Sequence, residues 1–484
     1  LKLKPTSLLI AGALMGAAVL PVQADPMVDL LKVLRDKGTI SAEDYSLLAN
    51  AAKAKEEKVA AEKEEMVSIV KETEKKSSLV TLDSKGLNFQ SADKSFTANI
   101  GGRIHADYGF ISDDYFDRNV ANVNEVGNAS KFRRARLGME GTMFTNWLYG
   151  VEVNFGSNSS TEFTDVIIGY QGFENTTIKL GRHKMPSGLE ELTSSNRIST
   201  MERSNPTNTF ALGRYNGLTV ATKGSNWTAT GGTWLGDGVS AGENSDKDSD
   251  YGYAGRATFA PIQEKDSIVH LGLSYNHIKY EDTFSSDSLA NNNGRLRARP
   301  NNNFFDERPV QVIYQGTESA DTYGLEAATI QGPFSLQAEY FKRELNRKEF
   351  KDADVDGWYA LATYTLTGET RGYRDGVMRT ISPKNAVGKG GFGAWELVAR
   401  YDELDVWDSS AAQEGLLVHS GSTNNNFNNL RGTKSEIWTI GVNWYVNDNI
   451  RFMANYVDAD IKSDAANNAE GDIKAFLLRG QVAF

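Results

Sequence analysis

Three stretches of the chain concentrate guanidinium groups. Lys131-Phe132-Arg133-Arg134-Ala135-Arg136 is one, and Arg295-Leu296-Arg297-Ala298-Arg299-Pro300 sets arginine at every second position. The third, Lys184 to Arg214, carries Lys184, Arg197, Arg203 and Arg214 beside Glu190, Glu191 and Glu202. Arginine grips oxyanions through paired, charge-assisted hydrogen bonds, so these are candidate anion-binding groups. In extended backbone, alternate residues lie on one side at a spacing of about 7 Å. Arg295, Arg297 and Arg299 would then form a ladder that hands an anion from step to step; a solvated loop with paired arginines is the alternative. The same period puts Arg134 and Arg136 on one face with Glu140, while Leu137 and Met139 take the other. An arginine facing hydrocarbon costs roughly 2 to 4 kcal/mol at the bilayer midplane, so in a membrane these side chains point into a lumen or sit above the bilayer.

Other chemistry is sparse. The five histidines have no metal-ligand spacing, and cysteine is absent. Asp352-x-Asp354-x-Asp356-Gly357 begins like a calcium loop, but Thr363 stands where the closing Glu is needed. No nucleophile motif and no phosphate-binding GxxxxGK[ST] occurs; Ser194 and Ser195 read as hydrogen-bonding loop residues. No catalytic residue, metal or cofactor is expected. A net charge of −11 argues against nucleic acid as a partner.

The elements that must position the arginines follow from periodicity. Residues 1–24 read as an export signal: Lys2 and Lys4, an apolar core from Leu8 to Leu20, and Val22-Gln23-Ala24 before Asp25. Residues 25–80 are helical in character. Met27, Leu30, Leu31 and Leu34 space as a short amphipathic helix that Gly38 ends, and Ser41 with Asp44 forms a capping-box pattern. The Ala/Glu/Lys-rich run from Ala51 to Lys76 suits a self-associating coiled coil or a solvated spacer.

Residues 81–484 change to period two. Arg103, His105 and Asp107 alternate with Ile104, Ala106 and Tyr108, and Phe476, Leu478 and Val482 alternate with Leu477, Arg479 and Gln481. Roughly sixteen such segments of about 9 to 11 residues can be counted, the length a tilted transmembrane strand requires. Short joints (Phe144 to Trp147, Gln331 to Pro333, Val446 to Asn449) separate them from long polar intervals at 112–130, 237–250, 280–320, 407–432 and 461–471. Tyr and Trp recur near segment ends, as interfacial girdles do. The expected fold is therefore an all-β transmembrane barrel of about sixteen antiparallel strands behind a short helical N-terminal segment; a soluble β-sandwich is the competing architecture. Two intervals stand apart. Lys184 to Arg214 is too long and irregular for a joint and is expected to fold back into the pore. Gly368 to Gly390 is long and basic where a short turn is due, so either the strand count slips or the pore exit carries a cationic rim.

Over nearly all of the chain after about Ser84, the sequence resembles the phosphate-selective porins O and P. The resemblance rests on Gly102-Arg103, Phe132 to Gly141 (FRRARLGMEG), Pro186 to Gly217, Arg297 to Pro300 (RARP), Tyr323 to Tyr340, Leu366 to Glu369, Gly393 to Tyr401 and the closing LLRGQVAF. It implies a trimeric, sixteen-stranded outer-membrane barrel with inward-folded loops, passing phosphate or polyphosphate. By position it points to Arg103, Arg133 and Arg134 at the constriction, Ser194 and Arg203 in the inward loop, and Arg297 and Arg299 on the ladder. Two departures, Glu191 where members can carry a basic residue and Asn301 where Glu is usual, leave general anion or polyphosphate passage open. The combined expectation is an anion porin of the Gram-negative outer membrane, with phosphate or other small anions, outer-membrane lipid and two further copies of the chain as partners. The candidate anion-binding residues are Arg103, Arg133, Arg134, Arg136, Lys184, Ser194, Arg203, Arg214, Arg295, Arg297 and Arg299. A non-selective porin, or a structural anchor whose N-terminal helix binds the cell wall, are the other readings.

Overall fold

A strand with one apolar and one polar face is stable in lipid only if every backbone group finds a partner and no edge is left open, which closure into a barrel achieves. A computed structural model of the chain has this form. It describes residues 26–76, 79–115, 127–157, 160–236, 250–280, 293–304, 308–411, 416–417, 431–465 and 469–484. The expected export signal, residues 1–24, lies outside the described residues.

Within the N-terminal unit, helix α1 (Pro26–Asp36) ends at Gly38, whose φ of 71° lets Thr39 N–H reach back to the Leu34 carbonyl at 2.9 Å. Helix α2 (Ala42–Lys76) opens with the capping box: Asp44 N–H donates to Ser41 Oγ (3.0 Å), and Ser41 N–H donates to the Asp44 carboxylate (3.3 Å).

The second unit opens with a hairpin (Leu79–Asp83 and Gly86–Gln90) and continues into sixteen barrel strands. They are β1 (Thr97–Asp113), β2 (Ala129–Met143), β3 (Trp147–Ser157), β4 (Ser160–Phe173), β5 (Thr176–Lys184), β6 (Arg214–Lys223), β7 (Trp227–Leu235) and β8 (Tyr251–Gln263). Then follow β9 (Ser267–Lys279), β10 (Thr317–Gln331), β11 (Phe334–Arg347), β12 (Ala353–Thr365), β13 (Ala394–Asp405), β14 (Lys434–Tyr445), β15 (Ile450–Lys462) and β16 (Gly471–Ala483). Each pairs antiparallel with its neighbour, and β16 pairs with β1 to close the ring. At the seam, Gly102 and Phe484 exchange backbone hydrogen bonds of 2.7 and 3.0 Å.

The pleat divides the side chains as the alternation requires. Along β13, Glu396, Arg400 and Asp402 are buried inside while Trp395 and Leu397 are exposed outside. Outward aromatics meet across strands, with Tyr275 opposite Tyr323, Tyr340 opposite Trp358, Tyr401 opposite Trp438 and Trp395 opposite Trp444. Such rows are the interfacial girdles of a membrane barrel.

The strand count does not slip. The 366–393 connection between β12 and β13 lies at the short-turn end, yet it is long because it folds up into the barrel, where its Tyr373–Arg374 and Val377–Met378 strands form a small hairpin. At the opposite end not every connection is long: Ser157 at the end of β3 pairs with Ser160 at the start of β4, and 348–352 joins β11 to β12. The Asp352 to Asp356 stretch is no calcium loop; it enters β12, and Asp354 pairs with Lys342 at 3.1 Å.

A β-bulge decides the arginine geometry. Opposite β2, register runs from His105↔Arg134 directly to Ala106↔Phe132, so Arg133 has no partner of its own. The extra residue turns both Arg133 and Arg134 inward, which strict period two would forbid.

Backbone packing between β4 and β5 is equally specific. Gly181 has φ 117°, and a Cβ there would stand 2.2 Å from the Val166 carbonyl oxygen. Gly181→Ala is expected to cost about 1–3 kcal/mol of stability, read as a lower urea midpoint for the detergent-folded barrel.

Candidate functional site

Residues 185–213, between β5 and β6, turn inward and form the site. Met185 N–H and the Gly213 carbonyl close the neck at 3.1 Å. The segment contains two short helices, α3 (Leu189–Leu192) and α4 (Asn205–Phe210), the latter capped by Ser204 with Pro206 in its first turn.

Its backbone groups, carried into a lumen, need partners, and the wall from β11 to β16 supplies them. Glu339 on β11 accepts from the N–H groups of Leu189 (2.5 Å) and Glu190 (2.9 Å) at the start of α3. Gly188 is required beside it, since at φ 76° a Cβ would lie 2.9 Å from the Glu339 carboxylate. Arg451 donates to the Ile198 carbonyl (2.9 Å), Arg479 to the Met201 carbonyl (2.6 Å) and Asn443 to the Ser199 carbonyl (2.8 Å). Arg400 reaches Thr200 Oγ1 (2.9 Å), the Glu202 carbonyl (2.8 Å) and the Glu190 carboxylate (3.3 Å).

Glu202 is the loop's ionic latch. Its carboxylate receives Nε and Nη2 of Arg133 at 2.8 and 3.1 Å and Nη2 of Arg479 at 3.1 Å, while Arg479 also clasps Asp107 at 2.7 and 2.6 Å. Burial opposes charge on Glu202, but Arg133, Arg134 and Arg479 outweigh it and hold the carboxyl well below its ordinary value. The loop therefore rests on Arg133 rather than facing it across open lumen.

Because the loop leans on the β11–β16 side, free space remains along β1 to β6. A cavity of about 910 Å³ runs from the short-turn end up to the loop, and ten Lys or Arg residues line it against four Asp or Glu. Arg103 and Arg136 share Glu152, Arg136 at 2.9 Å, and Arg103 also reaches Ser195 Oγ at 3.4 Å. Arg214 is bidentate to Asp165 (3.1 and 2.9 Å). Lys184 (2.7 Å) and Arg203 (3.2 Å) hold Glu191 between them, and Arg203 also caps the end of α3 at the Glu190, Glu191 and Thr193 carbonyls. Glu191 is held below its ordinary value: burial raises it, and Arg203 and Lys184 more than reverse this. Ser194 lines the same cavity, its Oγ accepting from Asn196 N–H at 3.4 Å. Arg134 is buried against His105 (3.5 Å), which in turn meets Asn196 (2.9 Å).

The remaining candidates lie elsewhere. Arg295, Arg297 and Arg299 are not among the cavity-lining residues. They belong to a small sheet in which Arg295–Ala298 pairs with Val310–Tyr314, and Leu296 and Ala298 bury into an apolar cluster with Phe210, Phe341 and Tyr314. The three arginines take the opposite face of that strand end, Arg297 exposed and Arg299 bonded to Asn303. Asn301 follows with φ 48° and donates to Asp402 at 2.5 Å; an Asn accepts this left-handed backbone more readily than a Glu.

The sequence reading missed Arg371, Arg400, Arg451 and Arg479 as loop holders and Lys179 as a lining residue, while Arg197, one of the basic groups of the 184–214 stretch, does line the cavity. For Arg400, Arg451 and Arg479 the signal existed: each is a charged residue on the inward phase of its strand.

The chain matches the family described as phosphate-selective porin O and P over residues 98–484. It is 31% identical over 420 residues to Porin O of Pseudomonas aeruginosa, covering 82% of this chain and 91% of that protein. An uncharacterized protein of Caulobacter vibrioides is 29% identical over 377 residues, covering 76% and 69%. Among solved structures, the outer membrane channel DcaP of Acinetobacter baumannii aligns with a TM-score of 0.49 at 10% identity, covering 82% of this chain and 99% of that one. An anion-selective porin from Comamonas acidovorans aligns with a TM-score of 0.46 at 13% identity, covering 80% and 100%.

The latch sets the pH behaviour of the loop. A carboxyl whose folded pKa is depressed contributes its full stabilisation above its unfolded value of about 4.3 and loses it as pH falls through the folded value. Single-channel current should therefore stay free of new gating noise from pH 7 to 5, with loop disorder appearing only in more acidic solution. Glu202→Gln should show that noise already at pH 7, together with faster proteolysis within 185–213.

Proposed function

Because the chain belongs to the phosphate-selective porin O and P family, we propose that this outer-membrane barrel is a passive channel for small anions, phosphate or polyphosphate foremost, narrowed where the inward loop faces β1 to β6. The long connections then face the cell exterior and the short turns the periplasm. One observation carries the reading: the cavity beneath the loop is lined by ten basic residues against four acidic ones. Field lines focus in a narrow low-dielectric lumen, so the local excess of cations governs selectivity despite the acidic total charge of the chain.

Arg103, Arg136, Lys184, Arg203 and Arg214, with Ser194 beside them, would replace part of an anion's hydration shell as it passes. Their ion pairs with Glu152, Asp165 and Glu191 keep that attraction moderate, and conduction requires binding weak enough for release. Arg295, Arg297 and Arg299 would draw anions at the outer mouth. The pairing also favours a second reading, a general porin with mild anion preference, because the carboxylates compete for the same guanidiniums. As a trimer, the chain would use the exposed apolar residues of its N-terminal helices, Leu47, Val59 and Met66 among them, to associate with the other copies.

Planar-bilayer recordings separate the readings. Chloride current from a selective channel should be blocked by millimolar phosphate, and cation preference in a salt gradient would overturn the anion reading. Glu152→Gln releases Arg103 and Arg136 and should shift the reversal potential further toward the anion limit.

A further inference from the structure

The connection between β9 and β10 reaches across the mouth of the barrel. β9 stands half-way round the ring from β1, yet the connection comes to rest against β1. A Cβ on Gly109 of β1 would lie 2.6 Å from the ring of Phe304, so that ring sits directly on the glycine backbone. Lys131 of β2 covers the same ring, its Nζ 5.3 Å from the ring centre and within cation–π range. The returning limb is fastened close by. Tyr115, just after β1, donates its hydroxyl to the Pro309 carbonyl (2.9 Å) and accepts from Gly432 N–H (3.0 Å). Residues 293–304 thus form a strap with one foot on β1.

Packing and hydrogen bonds carry the Phe304 contact to the arginine strand. Inward residues at the long-connection ends of β11 to β14, Leu345, Val355, Leu404 and Ile437, are buried in one apolar cluster with Leu296 and Ala298, and Phe304 packs on that cluster. A porin lumen is ordinarily polar; that part of the mouth is instead a packed core. Between Phe304 and the arginines lies a turn of asparagines. Phe304 N–H donates to Asn302 Oδ1 (3.1 Å), Asn302 Nδ2 to the Pro300 carbonyl (3.3 Å) and Asn301 N–H to the Arg299 carbonyl (2.8 Å), while the Arg299 guanidinium is bonded to Asn303. Asn301 Nδ2 ties the turn to Asp402 on β13 (2.5 Å), and Thr209 of α4 donates to the Arg297 carbonyl (3.5 Å). The strap is therefore held from β13, from α4 and, through Phe304, from β1.

We propose that Phe304, seated on Gly109, is the positioning residue of the outer mouth: through the asparagine turn it holds Arg295, Arg297 and Arg299 in fixed places, so that an arriving anion meets a preset field. The role rests on the anion-channel reading and deepens it, assigning the apolar contact on which the outer arginines depend. Charges fixed beside a narrow entrance focus their field and raise capture rates. With the ring unseated, the same arginines ride on a chain end free of β1, and the field at the entrance is averaged over its positions.

The test is block of chloride current by phosphate added to one side at a time, through the full-length channel in planar bilayers. Phe304→Ala should slow capture from the outer side about tenfold, the lower end of what focused charge adds to association. It should also flatten the dependence of that rate on ionic strength, with capture from the other side and the duration of each block unchanged. Gly109→Val drives the ring off its seat without touching the strap and should give the same loss, and the double variant should lose no more than either single. Phe304→Tyr, which keeps the ring, should recover most of the parental rate. If phosphate blocks the parent while Phe304→Ala and Gly109→Val match it, or slow capture from both sides alike, the positioning role is refuted and the channel reading stands. If phosphate blocks the parent from neither side and the current is not anion-selective, the channel reading itself fails.

Discussion

A chain segment carried into the lumen of a barrel brings its backbone N–H and C=O groups with it, and these must be matched there. That requirement organises this protein. Loop 185–213 is held through its main chain by Glu339, Arg400, Asn443, Arg451 and Arg479, side chains on five different strands. Because all five stand on β11 to β16, the loop must lie against that half of the barrel, and the open space must lie along β1 to β6. The position of the pore is a consequence of where the loop's hydrogen-bond partners were placed.

The charges inside the barrel divide by the same logic. Arg133, Arg400 and Arg479 serve the loop, either its carboxylates or its carbonyls, and Arg134 is buried beside His105. Arg103, Arg136 and Arg214 stand on the free wall and lean on Glu152 and Asp165. Glu191, which from sequence alone looks like a neutralising intrusion, fastens Lys184 to Arg203 and so shapes the rim of the gap. The positive lining of the cavity and the anchoring of the loop thus draw on one pool of arginines, separated by which wall each occupies.

Much of the barrel was legible because period two is a local property. The alternation of Arg103, His105 and Asp107 with apolar residues predicts which side chains face inward, and β1 follows it. Closure, strand number and the short turns at 144–146 and 446–449 follow from the same pattern. Two features broke it. The bulge at Arg133 adds one residue to β2, so two consecutive arginines face the lumen where alternation allows one. The 366–393 connection left a slipped strand count and a cationic rim both open, because sequence does not reveal that a turn can re-enter the barrel.

What the sequence alone determined is therefore the fold class, the inward phase of the strands where no bulge interrupts it and the concentration of arginine in a few stretches, all set by neighbours within a few residues. Tertiary structure decided which arginines remain available. Glu202 and Arg479 are 277 residues apart, and Arg371 and Arg197 174 apart, yet each pair is in hydrogen-bond contact. No local pattern encodes such partners, since they depend on barrel closure, on register and on the direction a long connection takes once the walls exist. Arginine spacing marks where positive charge is concentrated; only the folded lumen settles which guanidiniums already have a carboxylate.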